Sequence, residues 1–187
     1  MAGETTKSAN LTNTQAGTKR ESRYGRGRLL VASDVDAIAA GELEAADVTL
    51  LDIEIPSNAI VAEIAVYNDD LDSNCTPTLA ADFGLFAVED FTSVTSSTAT
   101  KHAADAVLDA DAYVDGATDL QAATTKWTAL AFDSATFGPD DAEKMAWEVL
   151  GYDEDPHTRF RVGVTFAAAA ATAAAGDLGV RVKYIVD

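Results

Sequence analysis

Two neighbouring segments in the first third of the chain alternate between apolar and polar side chains, with the period of two that is typical of a half-buried strand. In Val48–Ile55, the side chains of Leu51, Ile53 and Ile55 share one face, and the residues between them are acidic. Ile60–Tyr67 repeats the pattern, and residues 56–58, between the two segments, are Pro-Ser-Asn. This short connection predicts that the two strands form a β-hairpin.

The C-terminal part of the chain contains two more alternating segments. Arg159–Phe166 places every second residue, starting with Phe160, on an apolar face, and Val180–Val186 alternates in the same way. Between them, Ala167–Ala175 is almost entirely alanine. Helix propensity favours a helix for this run, whereas its position between two strands favours the extension of a hairpin. Both interpretations stay open.

Short apolar segments predict two further strands, Arg28–Ser33 and Leu79–Phe86, with Gly84 as a bulge or a point of close approach. Three segments are less regular: residues 34–47 predict a loop or a weak helical turn, residues 89–104 a long Ser/Thr-rich surface loop, and residues 105–119 either a strand or a short helix. No repeated βα pattern occurs. We therefore expect an all-β protein, a jelly-roll-like β-sandwich with an extended N-terminal arm.

The start of the chain is basic, whereas the remainder is strongly acidic. Residues 1–28 contain six Lys and Arg and two Glu, a formal charge of +4, so that residues 29–187 carry −22 and the whole chain −18. The basic segment has few large apolar side chains and predicts an arm that orders only on a partner. We expect a flexible arm at residues 1–27 and a body at residues 28–187. The candidate partner-binding residues of the arm are Lys19, Arg20, Arg23, Arg26 and Arg28.

The composition of the body narrows the classes of partner. Its negative charge repels phosphate, which argues against a nucleic acid, and suits a saline environment because salt screens the self-repulsion.

No apolar run of membrane-spanning length free of charge occurs, so we expect no membrane span. Cys75 is the one cysteine, which excludes an intrachain disulfide and a cysteine-based metal cluster.

Candidate catalytic residues are few. The two histidines are His102 and His157, and neither has the spacing of a metal site or a nucleophile motif. A Ser-His-Asp group could be assembled from His102 with Ser96 or Ser97 and Asp105, but a chain rich in Ser and Asp contains such groupings by coincidence. We therefore expect that the protein is not an enzyme.

One loop is rich in oxygen ligands of the kind that calcium prefers. It contains Asp69, Asp70, Asp72 and Asn74. The spacing lacks the glycine and the distal glutamate of an EF-hand. A solvated acidic loop is the favoured interpretation, with a calcium site as the alternative, and no other cofactor is expected.

The C-terminal third has a recognisable succession of motifs. Trp147-Glu-Val-Leu-Gly-Tyr152 is followed by Asp155-Pro156, by the strand Arg159–Phe166 and by Gly176 with the closing Val-Arg-Val-Lys-Tyr184. Together with Asp82-Phe-Gly-Leu85, this succession resembles the pattern of small structural proteins in the virions of tailed bacteriophages. The resemblance implies a non-enzymatic protein on the capsid exterior that decorates and cements the shell. It implies as partners the major capsid protein and other copies of the chain, as a homotrimer.

A carbohydrate-binding or adhesive β-sandwich module is the alternative function. It would present Trp127, Tyr113 or Tyr152 as a stacking platform for sugars.

Overall fold

The computed structural model describes residues 27–135, 137–138 and 141–186. Within these ranges the chain forms ten strands and one short helix. The strands are β1 Arg28–Ile38, β2 Val48–Pro56, β3 Ile60–Asn68, β4 Ala80–Ala87, β5 Phe91–Thr95, β6 Thr98–His102, β7 Val107–Ala117, β8 Thr128–Ala129, β9 Arg159–Ala168 and β10 Gly176–Val186. The helix is α1, Ala146–Val149, and single 3-10 turns lie at Ala40–Glu42 and Asp119–Gln121.

Eight of the strands form two four-stranded sheets. Sheet A has the order β1-β10-β3-β8 and sheet B the order β2-β9-β4-β7, while β5 and β6 form a separate hairpin. The antiparallel pairs are nested along the chain: β1 pairs with β10, β2 with β9, β3 with β8 and β4 with β7. A chain paired in this nested order and wrapped into two sheets is a jelly roll. The predicted fold class is confirmed.

The predicted hairpin of the second and third strands is wrong, although both strands exist. β2 lies in sheet B and β3 in sheet A, so residues 57–59 cross from one sheet to the other. The hydrogen bond from Ala59 N to the Pro56 carbonyl closes this turn. Two strands that each bury one face can lie opposite each other across a core as well as side by side, and alternation is the same in both arrangements.

Several irregular segments are more ordered than the sequence indicates. β1 continues through residues 34–38, which were expected to belong to a loop or a weak helical turn, and residues 91–102 form the β5–β6 hairpin. The ambiguous residues 105–119 contain the long strand β7. The alanine-rich run is neither a helix nor part of a hairpin, because β9 ends at Ala168 and β10 belongs to the other sheet.

The core is the apolar layer between the two sheets. Each long strand except the edge strand β1 contributes several buried apolar residues to it, and the phenylalanines of β4 and β9 are among them. The largest buried side chains of the core include Phe83, Phe160, Phe166, Leu51, Ile53 and Ile64. Gly84 confirms the predicted close approach, since the Asp109 and Ala110 carbonyl groups of β7 lie directly against it.

The connections collect at two ends of the sandwich. At one end, the β3–β4 and β9–β10 loops lie together, joined by the bond from Ser73 N to the Thr172 carbonyl. At the other end, the β2–β3 connection contacts α1 through the bond from Trp147 N to the Ser57 carbonyl.

Arg28, where β1 begins, pairs with Val186 at the end of β10. The arm therefore joins the body beside the last residues of the final strand. Among the described residues, no helix has the length and apolarity needed to cross a membrane.

Candidate functional site

The predicted calcium loop is organised around one buried carboxylate. Asp72 Oδ2 accepts hydrogen bonds from the backbone N–H groups of Thr78 (2.7 Å), Leu79 (3.0 Å) and Ala171 (3.0 Å). Its Oδ1 accepts one from Thr172 N at 2.9 Å. Burial opposes ionisation, but these four bonds outweigh it and hold the pKa of Asp72 well below its usual value. The carboxylate therefore joins the β3–β4 loop to the β9–β10 loop.

The other members of the loop have separate roles. Asp69 Oδ2 accepts a hydrogen bond from Asp177 N at 2.9 Å. The Asn74 side chain donates to Thr172 Oγ1 and accepts from Thr76 N, each at 2.9 Å, and Asp70 is exposed. No group of three or more His, Cys, Asp or Glu among the described residues has an arrangement that could hold a metal ion. Calcium binding stays a prediction.

Most of the predicted partner-binding residues lie outside the described ranges. These are Lys19, Arg20, Arg23 and Arg26. Arg28 is described and exposed, at the first position of β1. It belongs to the edge strand of sheet A, so the chain enters the body at this edge.

The Ser-His-Asp group imagined from the sequence is not assembled. His102 Nε2 lies 2.9 Å from Oγ of the buried Ser93 instead of Ser96 or Ser97. The Asp105 carboxylate pairs with Arg161 at 2.6 Å. The His102 ring stacks on Phe91 with 4.7 Å between centroids, beside a cavity of about 410 Å³. The histidine thus belongs to the packing of the β5–β6 hairpin.

The aromatic residues of the alternative function differ in accessibility. Tyr113 is buried against Phe132 and Phe137, which removes it as a platform for sugars. Tyr152 is half-buried. Trp127 is partly exposed, and the Arg181 guanidinium lies 4.8 Å from its ring centroid. The carbohydrate-binding alternative stays a prediction that rests on Trp127 and Tyr152.

A group of aspartates on β4 and β7 was not singled out from the sequence. Burial, a hydrogen bond with Asp111 and the Asp111 charge raise the pKa of Asp109 to about 6. Burial also raises the pKa of Asp82. A hydrogen bond from Gly116 N opposes this increase, and the charges of Asp115 and Asp111 add to it. Frequent aspartates were visible between residues 105 and 119, but their convergence with Asp82 depends on the β4–β7 pairing.

The Asp109→Asn variant is expected to be more stable than the wild type at neutral pH and equally stable near pH 4. The folded state holds the Asp109 proton up to about pH 6, whereas the unfolded chain releases it near pH 4. Wild-type stability is therefore lost as pH rises between these values, and asparagine removes that loss. Thermal unfolding at both pH values measures the effect. Asp70→Asn, which removes the same charge from an exposed position, is the control, and an equal response of both variants would contradict the prediction.

The comparisons with known proteins concern the fold. No protein-family model and no curated protein sequence matches the chain. A chain of the cyanophage Pam1 capsid asymmetric unit has a similar structure, with a TM-score of 0.53 and 22% identity over 86% of each chain. A chain of the capsid of Ralstonia phage GP4 aligns with a TM-score of 0.55 and 20% identity, over 86% of this chain and 85% of that one. The body described above therefore has a fold that is also found in phage capsid chains.

Proposed function

We propose that the protein is a non-enzymatic structural component of a phage virion that decorates and cements the capsid from outside. The observation that carries this proposal is the jelly roll shared with chains of two phage capsids over 86% of this chain. The virion-like motifs of the C-terminal third also favour it. They lie on the helix α1 and on the strands β9 and β10, which contribute one strand to each of the two sheets.

In this proposal, the body sits on the shell and the basic arm tethers it. The major capsid protein and other copies of the chain, in a homotrimer, are the partners. Lys19, Arg20, Arg23, Arg26 and Arg28 would form charge-assisted hydrogen bonds with acidic residues of these partners. Two linked contacts, one through the body and one through the arm, bind far more tightly than either alone. The negative body disfavours nucleic acid as the target.

Removal of residues 1–27 is expected to abolish binding to capsid shells while leaving the body folded. The deletion ends before β1, so each strand pair of the jelly roll is retained. Cosedimentation with shells that lack the protein measures binding, and thermal unfolding checks the fold.

A full-length variant with Lys19, Arg20, Arg23 and Arg26 replaced by glutamine separates charge from length. It is expected to lose most of its binding, and the binding that remains is expected to fall less with salt than that of the wild type, because the lost contacts are ionic. Full occupancy of shells by the truncated body would overturn the role of the arm. Failure of the complete chain to bind any shell would overturn the decorating function itself.

A further inference from the structure

The outer face of sheet A presents an unusual number of exposed apolar side chains. Leu29, Val31 and Val35 of β1 are 60%, 57% and 61% exposed, and Tyr67 and Trp127 are 45% and 37% exposed. Single exposed apolar residues are common on soluble proteins, but several on one face indicate a contact surface. We call these five residues the sheet A patch.

The strand register makes the patch continuous at one end. Val35 pairs with Gly179, and Gly179 pairs with Tyr67 on the next strand. A Cβ atom on Gly179 would lie 3.3 Å from the Trp127 ring and 3.6 Å from Val35. The Tyr67 and Trp127 rings lie 6.1 Å apart. The glycine therefore lets side chains from β1, β3 and the residue that precedes β8 meet across the sheet.

The charged side chains that lie between the residues of the sheet A patch are paired with one another and leave a positive excess. Glu63 accepts hydrogen bonds from Arg181 at 3.1 Å and from Lys183 at 2.9 Å. On the outer face, the strand rows from Val31 to Val35 thus hold two cations and one anion, since Asp34 of β1 alternates to the opposite face. The body as a whole has a formal charge of −22. Like-charge repulsion between two acidic molecules is weakest where such a face is turned toward the partner.

One half of the free edge of β1 is blocked and the other half is open. Asp34 Oδ1 accepts a hydrogen bond from Val35 N, and Asp36 Oδ1 accepts one from Ala37 N. Carboxylates placed in this way prevent the pairing of an edge strand with another strand. Among the described residues, no comparable side-chain bond caps residues 28–33, where Leu29 and Val31 are exposed. The open half of the edge therefore borders the sheet A patch.

We propose that the sheet A patch, with the open half of the β1 edge, is the surface on which a second copy of this chain docks. An acidic partner is favoured by the positive excess of the face, and a copy of the chain supplies a body of −22. The chain's own arm is a poor occupant because it is basic and has few large apolar side chains. The proposal does not depend on the virion role, since it concerns the isolated protein.

The test measures the mass of the full-length protein by sedimentation velocity over a wide range of concentrations. The wild type is expected to be a dimer or trimer. Val31→Glu places a carboxylate in the patch and is expected to raise the dissociation constant ~30-fold or more, as for a central interface residue. Leu29→Glu is expected to act in the same direction. Val107→Glu is the matched control, because Val107 is 53% exposed on β7, an edge strand of sheet B.

Each result decides the proposal. A monomeric wild type would overturn it, and so would an unchanged mass of both patch variants. If Val107→Glu raises the dissociation constant as much as the patch variants do, the increase comes from net charge and not from the patch. This result would also overturn the proposal. Thermal unfolding of the variants verifies that they remain folded. A monomeric wild type whose binding to shells is weakened by Val31→Glu would assign the patch to the capsid protein and leave the proposed function intact.

Discussion

Replacement of Asp72 with asparagine is expected to lower the free energy of unfolding by about 3 kcal/mol or more. The carboxylate accepts four backbone hydrogen bonds from two loops, and hydrogen bonds to a charged group contribute about 1.5–3 kcal/mol each. Asparagine keeps one acceptor oxygen and directs an NH₂ group toward N–H donors, so some buried donors lose their partner. Urea denaturation followed by circular dichroism measures the change.

Asp70→Asn is the matched control, because Asp70 lies two residues away in the same loop and is exposed. It is expected to change stability by less than about 0.5 kcal/mol. The low pKa of Asp72 adds a pH dependence with a definite sign. Its stabilisation is complete above the pKa of the unfolded carboxyl, near 4, and declines as pH falls below that value. Equal stability of the two variants at neutral pH would show that the buried carboxylate does not join the loops.

The Gly84→Ala variant is expected to lose about 3 kcal/mol of stability, at the upper end of the cost of overpacking. A Cβ atom at this position would overlap the carbonyl groups of Asp109 and Ala110. These are backbone atoms of β7 and cannot move aside as a flexible side chain would. Relief requires a shift of β7 away from β4, which breaks ladder hydrogen bonds and disturbs the raised pKa of Asp109.

Gly41→Ala provides the comparison for this prediction. No atom lies within 4 Å of a Cβ placed on Gly41, so the variant is expected to retain wild-type stability or gain slightly from the smaller entropy of the unfolded chain. Thermal unfolding and the yield of soluble protein are the measurements. A Gly84→Ala protein as stable as Gly41→Ala would mean that the contact between β4 and β7 is looser than described.

The strands were predictable from alternation, but their partners were not. β2, β3, β9 and β10 lie close to the segments that the sequence indicates, because apolar side chains recur at every second position of each. Their arrangement in two sheets depends on contacts between distant parts of the chain, which leave no local pattern. For this reason, the hairpin predicted for β2 and β3 was wrong.

The role of Asp72 was hidden for a related reason. In sequence it is one of several acidic residues in a polar loop, which resembles a solvated segment or a calcium site. The donors that satisfy it include Ala171 and Thr172, about a hundred positions later. The role of Gly84 was easier to predict, since a glycine inside an apolar strand indicates close approach of another backbone. In both cases, the residue type was informative, but the sequence did not show which residues would contact it.

The nested pairing also sets the order in which the protein can be completed during synthesis. β1 is made before the other described strands, yet its ladder partner β10 is the last of them and ends at Val186. The strand that carries the basic arm therefore stays unpaired until the ribosome has passed residue 186, and such distant pairing forms slowly. An interrupted chain that lacks β10 has its arm but no ladder partner for β1. Firm attachment of the arm to the body is thus reserved for molecules in which β10 has been synthesised.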